Sequence, residues 1–331
     1  MSLKKIAEIV GVAPSTVSRV LNNTASTCAS PELKEKIWEA ARTLDYTPNI
    51  NARNLKSGKH ISEKRYKIAT ILTRFNSLDT DPFFNELFQT IEESLFSHSC
   101  TIQFISNAAG KNLSELKEVD GIIILGRCPD EFLNSIKKYT HNIVGIGRNP
   151  TSYKMDEITC NGETAAIKAV EYLLSLGHIK IGYIGDCSYE SRYVGYCETL
   201  IGRNIPLNYN YIRPTDQTYD SGYHAMQELK KQDITAVFCA NDITALGALK
   251  ALSERSSDTV RHNRKISVIS IDNISMSQTS TPLLTTVNIP KEDMGRMAVN
   301  ILLDRIKHKH SECLRVEFPC KIIERGSCYP L

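Results

Sequence analysis

No C-x-x-C pair occurs among the ten cysteines, and no histidine stands at zinc-finger spacing from them. Zinc ribbons, zinc fingers and thioredoxin-type centres are therefore excluded. The cysteines read as reduced, largely buried thiols, with Cys100 and Cys239 inside or beside apolar runs. No apolar run approaches the roughly 20 residues that span a bilayer, so no membrane partner is expected. Nucleotide and hydrolase signatures are missing too. No G-x-G-x-x-G follows a strand, and neither a P-loop nor G-x-S-x-G is present; "GIGRNP" (145–150) lacks the third glycine and the helix start. Acidic residues are plentiful, but spacing singles out no pair. Neither an enzyme nor a bound cofactor or metal is expected. Met1 to Lys5 run straight into an amphipathic segment with no apolar signal region, which argues against a secreted binding protein and gives a cytoplasmic location as the expectation.

What is present is an ordinary globular composition, 41% hydrophobic and 23% charged, on 331 residues. That length calls for two or three units with sizeable cores. Net charge is only +3, but it is unevenly placed. Residues 1 to 67 hold 12 Lys and Arg against 6 Asp and Glu, which is +6 and leaves −3 for the rest. A basic head on a mildly acidic body is a handle for a polyanion.

The head explains itself residue by residue. Leu3, Ile6, Ala7 and Val10 fall at i, i+3, i+4 and i+7, Ser2 is placed to cap that helix, and Gly11 ends it. Pro14 suits the first turn of a second helix, whose inner face is Val17, Val20 and Leu21. Ser15, Thr16, Ser18, Arg19 and Asn22 fall on its outer side. A third helix is expected from Ser30-Pro31 to about Leu44, with Leu33, Ile37, Ala40, Ala41 and Leu44 inward and Trp38 on its flank. Two short helices about a glycine turn, backed by a third, form a helix-turn-helix unit. Its small polar outer face suits a helix that must approach base edges closely, with Arg19 facing guanine or phosphate. The alternative is a three-helix bundle that binds protein. The next stretch, "YTPNINARNLKSGKH" (46–60), holds a short amphipathic piece from Asn49 to Lys56. It is too short to be helical alone. Asn51, Arg53, Asn54 and Lys56 with one apolar Leu55 suit a segment ordered on double-stranded DNA, laying polar groups into the minor groove while Leu55 wedges a base step.

"IAEIVGVAPSTVSRVLN" followed by "YTPNINARNLKSG" resembles the headpiece and hinge helix of the LacI/GalR family of bacterial transcription regulators. The resemblance implies base-reading positions at Pro14, Ser15 and Arg19, a minor-groove leucine at Leu55 and the small hinge residue at Ala52. One departure is Ala13-Pro14, where the family often has Ser followed by another residue.

From Lys67 onward strand-like and helix-like segments alternate. Strands are expected at 67–73, 100–106, 121–126, 142–147, 180–185, 209–214, 236–240 and 266–271. Helices are expected at 83–97, 163–176, 191–202, 219–231, 243–254 and 291–308. Continuous apolar runs such as "GIIILG" suit parallel strands covered on both faces. The fold class is thus a small all-α helix-turn-helix headpiece plus an α/β core of two doubly wound subdomains. The expected division is 1–46 headpiece, 47–66 hinge and linker, and 67–331 core. The 107–119 connection is near the minimum for a crossover helix, so that helix is expected to be stunted.

Tandem α/β units bind small molecules in the cleft between them, at strand C-terminal ends. That rule selects Phe75, Asp81, Phe83, Arg127 and Arg148 in the first half and Arg192, Asn241 and Asp272 in the second. Fork donors, carboxylates, carboxamides and aromatics together fit a polyhydroxylated ligand. Bland readings compete: Asp and Asn after strands often cap the next helix, as expected for Asp242, and Phe83 and Phe84 can be core.

"GHIKIGYIG", "SRYVGY", "AVFCANDITALGAL", "ISVISIDN" and "PLLTTVNIPKEDMGRMAV" extend the family resemblance over nearly the whole chain. It implies a core similar to periplasmic sugar-binding proteins, with Arg192, Asn241 and Asp272 contacting the effector. Cys160, in "ITCNGE", stands where the family usually has Asp, and is expected to loosen a local turn. The short 107–119 connection, "DGIIILGRCP" and "TDPFF" point to a galactoside-type subgroup. The implied function is a homodimeric repressor on operator DNA, released by a sugar-like effector. The runner-up is a regulator of the same fold activated by a co-repressor; less favoured are a sugar-binding protein or an enzyme on this scaffold.

Overall fold

The computed structural model describes residues 3–21, 29–44, 65–73, 78, 81–107, 113–147, 154–188, 190–254 and 265–331. Three short helices lead the chain: α1 (Leu3–Val10), α2 (Pro14–Leu21) and α3 (Pro31–Thr43). Gly11 takes φ +73°, a left-handed conformation that costs glycine least, and the Val12 N–H then reaches back to the Ala7 carbonyl at 3.0 Å. This closes α1 and turns the chain into α2. Ser30 caps α3 by accepting the Leu33 N–H at 3.3 Å. Ile6, Ala7, Val17, Val20, Leu21, Ile37, Ala40 and Ala41 form one buried cluster.

Trp38, on the flank of α3, is buried there: it is 7% exposed, and its ring meets Phe96 edge-on at 5.2 Å. Helix α3 is therefore covered on two sides, by the other headpiece helices and by Phe96 of helix α4 (Pro82–Ser97). Periodicity reads only the first of these.

Among the described residues the core strands form two six-stranded sheets. The first runs β11-β5-β4-β3-β1-β2, all parallel: β1 (Lys67–Leu72), β2 (Thr101–Asn107), β3 (Gly121–Leu125), β4 (Ile143–Gly147), β5 (Asp156–Thr159) and β11 (Arg315–Glu317). The second runs β12-β10-β9-β8-β6-β7: β6 (Ile181–Gly185), β7 (Ile212–Pro214), β8 (Ala236–Cys239), β9 (Ser267–Asp272), β10 (Thr285–Asn288) and β12 (Lys321–Ile323), the last antiparallel to β10. Helices α4, α5 (Asp130–Ile136) and α10 (Lys291–Ile306) accompany the first sheet, and α6 (Gly162–Ser175), α7 (Ser191–Gly202), α8 (Tyr219–Leu229) and α9 (Asp242–Ser253) the second. Covered on both faces, β3, β6, β8 and β9 are wholly buried. Helices α8 and α9 approach so closely that a Cβ on Gly247 would lie 2.0 Å from the Tyr219 carbonyl oxygen, so only glycine fits there.

The six expected core helices are present. The described part of the short crossover, Leu113–Glu118, is a 3-10 helix, as its length required. "YNYIRP" differs: Tyr209–Tyr211 is a 3-10 turn, and only Ile212–Pro214 is strand. β5 was unexpected because it opens on two acids, Asp156 and Glu157, both buried. Asp156 is neutralised by residues far away in sequence: Arg305 donates to both of its oxygens, His310 lies at 3.0 Å, and the Leu314 N–H at 2.8 Å. The chain passes between the two halves three times, at 160–161, 289–290 and 318–320. Among the described residues no helix is long and apolar enough to cross a membrane.

Candidate effector cleft and nucleic-acid face

At the C-terminal ends of β6, β8 and β9 the second sheet gathers a polar group around Arg192. Its side chain is fully buried. Glu190 caps α7 and accepts from Arg192 Nε at 2.9 Å; Nη1 donates to the Ala240 carbonyl at 2.7 Å and Nη2 to Gln217 Oε1 at 3.0 Å. Burial opposes the guanidinium charge, but Glu190 outweighs it, with Asp272 adding to the effect, and the group stays firmly cationic. Tyr183 lies beside it and packs against both Tyr196 and Phe238, all three buried.

Asn241 is the N-cap of α9: its Oδ1 accepts the Thr244 N–H at 2.9 Å and its Nδ2 donates to the Gln217 carbonyl at 3.2 Å. The capping role expected of Asp242 thus belongs to Asn241. Asp242 lies one residue inside the helix and is fully buried. It accepts from the Ser270 and Thr286 hydroxyls (2.6 Å for Thr286) and from the Ile274 N–H at 2.8 Å. Burial pushes its pKa up to about 6 against these bonds.

Asp272 ends β9 in a left-handed conformation, φ +123°, followed by Asn273 at φ +51°. Such backbone costs on the order of 1–3 kcal/mol per residue and persists only where its surroundings fix it. Here Lys291 Nζ donates to both carbonyls, at 2.7 and 2.9 Å, and Arg325 and Asn288 bond the Asn273 carboxamide at 2.6 and 2.8 Å. Gln217 has φ +65° as well. Its carboxamide nitrogen is buried without a hydrogen-bond partner among the described residues. It joins Arg192 to Asn241, yet the sequence reading passed it over. Gln217 follows β7 by three residues, but position alone does not single it out; the convergence of Arg192 and Asn241 on it does.

Arg192, Asn241 and Asp272 are therefore brought together, with Gln217 between them. On the other side, Asp81 caps α4 by accepting the Phe83 and Phe84 N–H groups at 3.1 and 3.3 Å. Phe83 is 2% exposed, with the Lys291 ammonium 5.6 Å from its ring centre. Through Lys291 it adjoins the Asp272 loop. Arg127 is exposed beyond β3, and no hydrogen bond joins it to the others. Phe75 and Arg148 lie outside the described residues. No cluster of His, Cys, Asp and Glu among the described residues is built to hold a metal ion.

On α2, Val17, Val20 and Leu21 are buried, Pro14, Ser15 and Arg19 are exposed, and Thr16 and Ser18 are half-buried. The five candidates thus lie off the buried stripe, on a face of small polar groups and one cation. Asn22, Asn51, Ala52, Arg53 and Leu55 lie outside the described residues.

Residues 2–49 match the bacterial regulatory proteins of the lacI family, and residues 170–328 a periplasmic binding protein-like domain. The HTH-type transcriptional repressor PurR of Photorhabdus laumondii is 31% identical over 98% of this chain and 96% of its own length; that of Edwardsiella ictaluri is 32% identical with the same coverage. The chain belongs to the LacI family. As a LacI-family protein it is a DNA-binding transcriptional repressor with a small-molecule effector site in its core, and not an enzyme. Among solved LacI-type structures, the regulator CelR in complex with cellobiose superposes with TM-score 0.68 at 25% identity over 99% of both chains. An Enterococcus faecium LacI family regulator with bound ribose gives 0.71 at 27%, over 80% of this chain and 99% of that one. The lac repressor dimer bound to operator gives 0.66 at 23%, a likeness of fold.

Proposed function

We propose that the effector is a sugar bound by Arg192, Asn241, Asp272 and Gln217 in the second half, with Phe75, Asp81, Phe83, Arg127 and Arg148 as the candidates from the first. The observation that carries this reading is the Gln217 carboxamide. Its oxygen is held by Arg192, its backbone carbonyl by Asn241, and its buried NH₂ has a hydrogen bond still to give. A vicinal diol satisfies such a group: one hydroxyl oxygen accepts from Gln217 while its proton and its neighbour's go to the carboxylate and carboxamide acceptors of Asp272 and Asn241. The cellobiose and ribose bound by two structural relatives support the ligand class. A galactoside, as in repressors of the EbgR type, is the finer choice, resting on "DGIIILGRCP" and "TDPFF".

In this reading the protein is a cytoplasmic homodimer divided as 1–46, 47–66 and 67–331. Pro14, Ser15, Thr16, Ser18, Arg19 and Asn22 face the major groove of each half-site. Asn51, Ala52, Arg53 and Leu55 form the hinge at the operator centre. Effector binding shifts the first half of the core, separates the hinges and makes their folding on DNA costlier. A co-repressor would reverse the sign. A thermal-shift screen of sugars, galactosides first, tests the reading: a ligand at 100 times its Kd stabilises by about 2.7 kcal/mol. A full panel of mono- and disaccharides producing no shift, while a nucleobase does, contradicts it.

A further inference from the structure

Two cysteines meet where the chain passes between the halves of the core. Cys160 lies in the first crossing, between β5 and α6, and Cys320 in the third, between β11 and β12. β11 pairs with β5 in parallel, Glu317 opposite Thr159, and the Phe318 N–H bonds the Thr159 carbonyl at 2.8 Å. The two strands therefore leave the first sheet side by side, and both cysteines follow within three residues. Cys160 is 1% and Cys320 6% exposed, both in one buried cluster, and each thiol is the largest influence on the other's charge. Cys320 also lines a surface hollow of about 400 Å³ bounded by Asn161, Thr164, Lys168 and Phe318, which gives small solutes a way in.

Other buried cysteines differ in kind. Burial, with a smaller push from Asp120 and Asp130, raises Cys100 and Cys128 to about 11, which keeps them protonated and inert. Cys320 moves the other way. The neighbouring Cys160 thiol holds it below the ordinary thiol range, and the Lys168 ammonium adds to this. A sulfur with thiolate character, a neighbouring thiol and a route to solvent are the requirements of an attacking and a resolving cysteine.

We propose that Cys160 and Cys320 form a reversible dithiol–disulfide couple that clamps the first and third crossings together when a peroxide reaches the hollow. The Cys320 thiolate attacks the peroxide O–O bond. One oxygen stays on sulfur as the sulfenic acid, and the other departs as hydroxide or alkoxide and is protonated by water. The Cys160 sulfur then attacks Cys320 Sγ, the S–S bond forms, and hydroxide leaves with the Cys160 proton as water. The two thiols lose two electrons, which reduce the peroxide. A small dithiol reverses the reaction. A covalent tie between two of the three crossings restrains any movement of one half against the other. The clamp's regulatory meaning rests on the effector reading above; its chemistry does not.

The test uses the full-length reduced protein, one equivalent of hydrogen peroxide, alkylation of the remaining thiols after unfolding, and peptide mass mapping. The expected product is a linked pair of peptides containing Cys160 and Cys320, two hydrogens lighter than their sum and separated by dithiothreitol. In Cys160→Ser the link is absent and Cys320 is trapped as the sulfenic acid by dimedone. Recovery of both cysteines as alkylated thiols at peroxide levels that oxidise the exposed Cys313 overturns the couple, as does overoxidised Cys320 with no linked peptide. Amide hydrogen exchange across 160–162 and 318–321 reads the clamp without any effector. Slowing of about fivefold or more in the oxidised protein is expected, and unchanged exchange overturns the clamp. A sugar screen that finds no ligand would count against the effector reading and leave these outcomes intact.

Discussion

Lys291 holds Asp272 from behind. Its ammonium donates to the Asp272 and Asn273 carbonyls at 2.7 and 2.9 Å and lies 3.3 Å from Glu86 of α4, which also accepts the Ser275 N–H at 2.7 Å. One cation thus joins a candidate effector contact in the second half of the core to the helix that carries Asp81 and Phe83 in the first. Movement of either half must work against this junction, so effector binding and lobe position share an energetic link.

Lys291→Met removes the donor for two carbonyls and leaves Glu86 facing the gap. The variant is expected to lose about 1–3 kcal/mol in urea unfolding and to bind effector more weakly, because the left-handed Asp272–Asn273 backbone relaxes. Glu86→Gln keeps an acceptor for Ser275 and loses only the charge, so its stability cost stays under about 1 kcal/mol. Equal losses in the two variants would contradict this assignment.

Arg192→Lys keeps a cation but loses the fork that reaches Glu190, Ala240 and Gln217 together. Effector affinity is expected to fall at least about tenfold, with operator affinity unchanged, because lysine offers a point charge in place of a planar array. Arg192→Ala leaves buried Glu190 without its cation and costs on the order of 3–5 kcal/mol, so the lysine variant is the cleaner probe. Isothermal titration of the effector and fluorescence anisotropy on operator separate the two quantities.

The buried carboxyl of Asp242 makes stability depend on pH. Its folded-state pKa of about 6 lies above the ordinary carboxylate value of 3.8, so the folded protein favours the protonated form. The stability it contributes is complete below about pH 4 and is lost as pH rises through 6. Asp242→Asn cannot titrate. The variant is less stable than the wild type at pH 4, since its NH₂ faces the Ile274 N–H, and the gap should narrow by roughly 2–3 kcal/mol by pH 7. Urea unfolding at matched pH values reads the gap; one that widens with pH contradicts the assignment.

On the DNA side, Arg19→Ala is expected to cost about 1–3 kcal/mol if Arg19 reads guanine, with relaxed specificity at that base pair. A uniform loss across sequences, with the salt slope falling by about 1, marks a phosphate contact instead. Leu55→Ala should weaken specific binding far more than non-specific binding. Equal losses in a gel shift argue against a wedge.

The headpiece and the parallel strands were legible because their burial is local. Ile6, Ala7 and Val10 share one helical face, and "GIIILG" is apolar whichever side is covered. β5 was not legible, because Asp156 is buried by virtue of Arg305, 149 residues away. The cover over Trp38 was not legible for a related reason: Phe96, which supplies it, belongs to another part of the chain. In the cleft, Arg192, Asn241 and Asp272 stand out as polar residues at strand ends. Gln217 becomes significant only when Arg192 and Asn241 are seen to converge on it, and Asp242 only when Ser270, Thr286 and Ile274 are seen to surround it.

The central claim, that a sugar held at the Gln217 group governs the grip of α2 on DNA, is tested most directly by operator affinity with and without that sugar. Operator duplex selected from a random pool is titrated by fluorescence anisotropy, with the sugar first shown to bind by thermal shift. The expected result is a weakening of about 5- to 150-fold, with the sugar concentration that gives half of it raised at least about tenfold in Arg192→Lys. An affinity identical at saturating and zero sugar would contradict the account.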